Sequence, residues 1–279
     1  VEIAKDKSYT SYFLAKHGFR VPVGRTFFSA RLLPNLAPAK RRGLEEACAY
    51  AKERGYPIIA KPNNLSQGKL VSKVCTENEL RSVAAAIFEE TEVLLIENVC
   101  AGRDYRIVVL GEDVVSAYER IPLTVVGDGV SSIEQLVLQK RDRLPALGRP
   151  NAEIQPEDPR IWATVRRLGY DRTSILPKGK SLTLLDNANL STGGEAIDIT
   201  GTLHPSYRQL ALEVSRVMGL RLSGVDIMCP DAERPVGEYT VIEVNGAPGL
   251  DNYAALGAEQ DERVKDLYRE VLKYLEVNA

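Results

Sequence analysis

The chain has 279 residues, 44% hydrophobic and 27% charged, enough for a full core in one large domain or in two or three lobes. Its formal charge of −2 gives no global attraction for nucleic acid or a membrane surface, so local lysines and arginines must meet any anionic ligand. Four cysteines without CxxC spacing and two histidines argue against zinc or a disulfide framework, and no apolar run reaches the ~18 residues of a bilayer span, so we expect a cytoplasmic protein.

Residues 5–17 carry a helical pattern that stops at Gly18, and the extended stretch FRVPVGRTFF follows. Helical periodicity returns in RGLEEACAYAKERG and ends at Gly55 and Pro57. Next come the strand PIIAKP, the polar loop NNLSQGK, the strand LVSKV, the helix TENELRSVAAAIFEE with a Thr76–Glu79 capping box, and the strand VLLIENV. Together they make a small α+β lobe. DYRIVVLGEDVVSAYERIP reads as two strands hinged at Gly111, and TVVGDGVSSIEQLVLQKRD as a loop running into a helix. Residues 144–159, rich in proline and polar side chains, read as surface connection. A short helix over 162–168 leads to the loop ILPKGKS and to a second polar loop, DNANLSTGGEAIDIT. The helix PSYRQLALEVSRVMG precedes the strand LSGVDIMCP, and the amphipathic helix AEQDERVKDLYREVLKYLE closes the chain.

The stretch YTVIEVNGAPGLDNY places Thr240, Ile242 and Val244 on one side of a strand and Val241, Glu243 and Asn245 on the other. In LSGVDIMCP, Asp226 is the only charge, and an antiparallel pairing across the 231–238 turn sets it beside Glu243. Asp226, Glu243 and Asn245 are a hard-oxygen set suited to Mg²⁺, and like charges so close require a cation. The plainer alternative is a strand end where polar residues meet water. Lys61, at a strand end beside a polar loop, can hold a nucleotide phosphate while loop N–H groups cover the rest, or can simply be solvated. Two further glycine-bearing loops, VVGDGVSS and LSTGG, permit close backbone approach to a ligand. Each alone is an ordinary turn, but with Arg106 and Arg120 they point to a phosphate and metal site.

The order DKSYT, IIAKP, LLIENV, GRDYRIVVL, RIPLTVVGDGVSSIEQL, NLSTGGEAIDIT, GVDI and VIEVNGAPGL resembles the ATP-grasp superfamily over nearly the whole chain. Within it, the likeness is to the ATP-grasp domains of cyanophycin synthetase and of the bifunctional glutathione-synthesising enzyme. The resemblance implies an α+β fold whose two lobes, residues 1–98 and 99–279, clasp ATP between antiparallel sheets. It implies a ligase that joins a carboxylate to an amine through an acyl-phosphate, acting on an amino acid or short peptide and releasing ADP and phosphate. By resemblance, Lys7 and Lys61 reach the ATP phosphates under the 63–69 loop with Gly68. Glu97, Asn98 and Val99 form the hinge at adenine, and Asp104 bonds the ribose. Asp226, Glu243 and Asn245 match the ligands of Mg²⁺, expected as two ions, with Mn²⁺ as a substitute. Arg106 and Arg120 would clamp the transferring phosphoryl group or the substrate carboxylate. Asn189, Ser191, Thr192, Gly193 and Gly194 form the substrate loop. Asp251, with Asn252 and Tyr253, is turned toward the substrate, where it pairs with an ammonium or stands as a surface acid.

The chain departs from the family pattern in two places. Leu70 stands where the phosphate loop has its second glycine, and Leu185, Asp186 and Asn187 stand where arginines precede NLSTGG. We expect Lys69 to supply the lost cation, ahead of Arg106, Arg120, Arg172 and Lys178. Family enzymes also carry a domain before the DKSYT-like segment, so the acceptor pocket is expected to draw on upstream sequence or on a second copy of the chain. An ATP-binding module without turnover is the alternative function.

Overall fold

The computed structural model describes residues 2–149 and 152–277. The expected first helix is split at Asp6 into α1 (Glu2–Lys5) and α2 (Lys7–Lys16), because the Asp6 carboxylate caps the second segment by accepting the Tyr9 N–H at 2.8 Å. There follow β1 (Gly24–Phe28), α3 (Leu44–Arg54), β2 (Ile58–Pro62), β3 (Ser72–Val74), α4 (Glu77–Glu90) and β4 (Val93–Asn98). These strands form an antiparallel four-stranded sheet in the order β1-β4-β2-β3. Its two faces differ. Phe27, Ile58, Ala60, Val74, Leu94 and Ile96 pack under α3 and α4, while Ile59, Lys61, Lys73 and Glu97, one pleat away, face the other side. Thr76 caps α4 as expected, but the Glu79 carboxylate reaches past it to the Cys75 N–H, at 2.7 Å.

The second half contains β5 (Arg103–Leu110), β6 (Asp113–Ile121), β7 (Thr124–Val126), α5 (Ile133–Arg143), α6 (Pro159–Arg167), β8 (Ser181–Thr183) and β9 (Glu195–Asp198). It closes with α7 (Pro205–Val217), β10 (Leu222–Cys229), β11 (Thr240–Asn245), α8 (Asp251–Ala254) and α9 (Ala258–Val277). A five-stranded antiparallel sheet runs β11-β10-β5-β6-β9, and β7 pairs with β8 separately. Strands β8 and β9 lie inside segments that read as loops; each is short and borders its sheet, so little apolar alternation marks it. One face of the five-stranded sheet, with Tyr105, Ile107, Val225, Ile227, Val241 and Val244, packs against α7. Leu14 of α2 joins that core, and the Arg20 carbonyl accepts the Val241 N–H at 2.9 Å, so the first residues pack on the five-stranded sheet although they precede the four-stranded one.

Two sequence readings need correction. The 144–159 connection is not merely surface: Leu144, Ala152 and Ile154 are buried with Trp162 and Leu182 in a third core over β7, β8, α5 and α6. Strict alternation in β11 also fails. Val241 pairs with Ile227 and Glu243 with Asp226, leaving Ile242 as an extra residue in a β-bulge. Val241 and Val244 therefore both enter the core, while Ile242 and Glu243 both face the cleft.

Candidate active site between the two sheets

Cross-strand register builds the floor. In antiparallel strands, directly opposed residues share a face. Glu243, Asp226, Arg106 and Tyr118 thus form one row across β11, β10, β5 and β6, with Asp104 and Arg120 paired two residues along. Arg106 grips Asp226 with both arms of its guanidinium at 2.7 Å, and Arg120 Nη2 adds a contact at 2.9 Å. Arg120 also donates to Asp104 Oδ1, at 2.6 and 3.0 Å. Lys7 Nζ, from the start of α2, lies 3.1 Å from Glu243 Oε1 and donates to the Leu65 carbonyl of the loop above. Three cations thus face three carboxylates, and the cation that crowded acids require is supplied by the chain itself.

The two buried acids are treated differently. Burial pushes the Asp104 carboxyl above the usual range, and Arg120 offsets this only in part. Burial opposes ionisation at Asp226 too, but Arg106 and Arg120 together outweigh it and hold the carboxyl below the usual range. Asp226, 1% exposed, is the charge on which the floor turns.

The roof comes from the four-stranded sheet. Lys61 Nζ lies 2.6 Å from Glu97 Oε2, a pair buried on both sides. Asn98 Oδ1 accepts the Val23 N–H at 2.6 Å, fixing the chain as it leaves the sheet. Between roof and floor lies a cleft of about 220 Å³ whose lining includes Lys7, Lys61, Gly68, Lys69, Lys73, Glu97, Asn98, Val99, Asp104, Arg120, Asn189, Asp226 and Glu243. It adjoins a wider hollow of about 760 Å³ between β3, α4 and α6, with Lys69, Lys73, Asp186 and Asn187 shared by both. Asn245 stands on the cleft face of β11 two residues after Glu243, and its Nδ2 is buried without a hydrogen-bond partner among the described residues.

Of the remaining expected site residues, Lys69 and Asn189 also line the cleft, and the others lie off it. Lys69 Nζ, half exposed, is held 2.8 Å from Glu90 on α4. Arg172 is engaged by Glu134 and Glu157 at the surface. Asp186, where the family has arginine, pairs with Arg167 at 2.7 Å. Asn189 lines the cleft, but Ser191 and Thr192 form a tight turn, and Gly193, at a φ of +89°, leaves no room for a Cβ against Ile154. Gly194 continues that turn, donating to the Asn189 carbonyl at 3.1 Å. In VVGDGVSS the Asp128 carboxylate takes the backbone N–H groups of Val130 and Ser131, at 2.8 and 2.7 Å. Asp251 opens α8 and is exposed. Tyr253 is buried, stacked on Tyr118 with ring centroids 4.9 Å apart.

Sequence reading missed three residues. Lys73, on the cleft face of β3, has no carboxylate in ion-pair range among the described residues, unlike Lys7, Lys61, Lys69 and Arg120 around the same cleft. Its signal was the pleat: it stands opposite Ile59, two residues from Lys61. Arg149 is buried and donates to the Leu190 carbonyl and, at 3.2 Å, to Asn252 Oδ1, tying the substrate-loop turn to α8. Arg160 of α6 reaches the backbone of the 63–69 loop at the Gly68 carbonyl. Neither arginine carried a local signal, because both lie in the stretch that reads as connection or short helix.

Comparison with known proteins agrees with this geometry. The D-ala D-ala ligase C-terminus family matches residues 36–129, and the RimK-like ATP-grasp domain family matches residues 186–267. The chain is 32% identical over 263 residues to cyanophycin synthetase of Geminocystis herdmanii, covering 91% of this chain and 28% of that protein. It is 32% identical over 256 residues to glutathione biosynthesis bifunctional protein GshAB of Streptococcus mutans, covering 88% of this chain and 32% of that protein. Among solved structures, a bifunctional glutathione synthetase from Pasteurella multocida superposes with a TM-score of 0.53 at 28% identity, over 95% of this chain and 36% of that one. The chain therefore spans about a third or less of the curated relatives it matches. Two antiparallel sheets enclosing a cleft lined by charges of both signs, two family matches along the chain and relatives over nearly its whole length make this chain a member of the ATP-grasp superfamily.

Proposed function

We propose that the chain is the ATP-binding and condensing part of a carboxylate–amine ligase acting on an amino acid or short peptide. A substrate carboxylate oxygen bonds the γ-phosphorus as the bond to the ADP oxygen breaks. An amine nitrogen then bonds the acyl carbon, phosphate leaves with the C–O electron pair, and the nitrogen gives up its proton. The observation that carries this reading is the opposition of two charge sets across one cleft: the Lys61–Glu97 pair above, and Lys7, Glu243, Asp226, Arg106 and Arg120 below. Catalysis of phosphoryl transfer is mostly positioning and charge neutralisation, and such a cleft supplies both.

In this reading Lys61 and Lys7 hold the phosphates, with Glu97 and Glu243 as their resting partners. Glu97, Asn98 and Val99 flank adenine, and Asp104 meets the ribose. Lys73, with no carboxylate in ion-pair range among the described residues, is the cation best placed to take the lost arginine's charge. The donor set suits Mg²⁺: Glu243 opens into the cleft, Asn245 shares its face, and Asp226 stands opposite Glu243 with about one lone pair beyond those its arginines use. Among the described residues, no group of three His, Cys, Asp or Glu could hold a metal. An ion here would therefore share its coordination with Asn245 and the nucleotide phosphates. When bound, it supplies charge neutralisation at the phosphoryl oxygens.

A second reading, an ATP-binding module without turnover, draws on Asp186, which sits on Arg167 where the family has cations. Phosphate release measured with paired amino acids and peptides, with mass spectrometry of products, separates the two. The ligase reading expects ADP, phosphate and an amide, all abolished in Glu243→Ala. Tight ATP binding with no release for any pair would favour the module.

A further inference from the structure

The loop joining β2 to β3 is docked on α6. Arg160 Nη1 lies 2.8 Å from the Gly68 carbonyl oxygen and 3.4 Å from that of Val71, bracketing Leu70. Its remaining donors are held by its neighbour: Nε lies 3.0 and 3.1 Å from the Asp158 oxygens, and Nη2 2.6 Å from Oδ2. Asp158 is itself fixed as the N-cap of α6, accepting the Arg160 N–H at 2.9 Å. The guanidinium is thus aimed by its own helix cap, and little side-chain freedom is left to lose on meeting the loop. On the other side Gly68 sits against Asn187 and Asn189, where a Cβ would lie 2.4 Å from each side chain.

The loop backbone held there is unfavourable in isolation. Gln67 and Leu70 both have φ of 57°, the left-handed region that side-chain-bearing residues avoid. Such conformations persist only where the surroundings over-determine them. The surroundings here are Arg160, the two asparagines, the Glu90 carboxylate that holds Lys69 and the core under α3 and α4 against which Leu70 packs.

We infer that Arg160 is a positioning residue, a latch that holds the 64–71 loop over the cleft in a conformation that glycine at position 70 would reach without help. The latch stands on contacts in the chain itself. Its effect on nucleotide rests on the proposed ATP site.

Hydrogen exchange of the 64–72 segment in the full chain without nucleotide tests the latch. Arg160→Ala should speed exchange there about tenfold and leave α4 and β10 unchanged, the size expected for one charged hydrogen bond. Arg160→Lys, which keeps one donor, should fall between. Adding Leu70→Gly to Arg160→Ala should restore most of the protection, since relief of a left-handed side chain amounts to about 5- to 30-fold. A merely structural role for Arg160 would not be rescued at position 70. With ATP, KM should rise in Arg160→Ala more than kcat falls, and Leu70→Gly should reverse it. Unchanged 64–72 exchange in Arg160→Ala overturns the latch. If that variant fails to fold, Leu70→Gly alone decides: slower exchange supports the latch and unchanged exchange overturns it. A wild-type chain that binds no ATP but shows these exchange changes would remove the nucleotide site and leave the latch standing.

Discussion

The floor and the roof of the cleft solve the same electrostatic problem in opposite ways. On the floor, Asp104, Arg106, Arg120 and Asp226 project from adjacent strands of one sheet, so their spacing is set by backbone hydrogen bonds. Side chains locked this way need no reorganisation when charge develops nearby. On the roof, Lys61 is tied to Glu97, Lys73 has no carboxylate in ion-pair range among the described residues, and the loop carrying Gly68 and Lys69 is held in part by Arg160 of α6. The floor is a fixed template and the roof is the part that can exchange partners. Burying matched charges adds little stability, whereas stranding one is expensive, so substitutions should affect the two surfaces unequally.

The largest effect should come from Asp226→Ala, which strands the Arg106 guanidinium and leaves Arg120 with Asp104 alone; we expect a loss of about 3–5 kcal/mol in urea unfolding. A loss below about 1 kcal/mol would mean that the floor is not prepaid. Lys61→Met leaves Glu97 buried and unpaired and should cost about 3 kcal/mol as well as ATP affinity. Lys61→Met with Glu97→Gln should recover most of the stability but not the affinity by calorimetry, which separates the structural pair from the phosphate contact. Lys73→Met should leave the melting temperature unchanged and weaken ATP binding roughly tenfold, the size of one charge-assisted contact, while sparing adenosine. Lys69→Ala, which removes a surface pair with Glu90, should change stability by about 1 kcal/mol or less. If kcat nonetheless falls sharply in Lys69→Ala, the roof moves far enough to bring that ammonium inward. The smallest effect is local. Bonds from the Ser131 hydroxyl and from the Ser131 and Val130 N–H groups hold the Asp128 carboxyl at about 2, so its contribution is fully present above about pH 4 and is lost as pH falls toward 2. NMR titration of Asp128 with an ordinary carboxylate midpoint would contradict that loop's self-capped geometry.

Much of this was legible before any coordinates. Motif order gave the superfamily, and the Asp226–Glu243 pairing followed from strand alternation plus a short turn, because both are local consequences of backbone geometry. Lys61 was legible for the same reason, since a strand end fixes where its side chains emerge, whereas Glu97 and Asn98 came only from the family resemblance.

What the tertiary structure alone decided is which charges meet. Arg106 and Asp226 are 120 residues apart, and Arg160 and Gly68 are 92 apart, distances over which no periodicity carries information. The bulge at Ile242 moved Val241 out of the polar face, and the burial of Ile154 turned a loop glycine into a packing residue. Pairing of remote strands and docking of remote elements create partners for charges, and a partner fixes whether a lysine is spent on a carboxylate, as Lys69 is, or stands without one among the described residues, as Lys73 does. The residues that could act were therefore written in the sequence. Which cations were already engaged was settled by the register between strands far apart in the chain, because ion pairing depends on distances of a few ångströms that only packing sets.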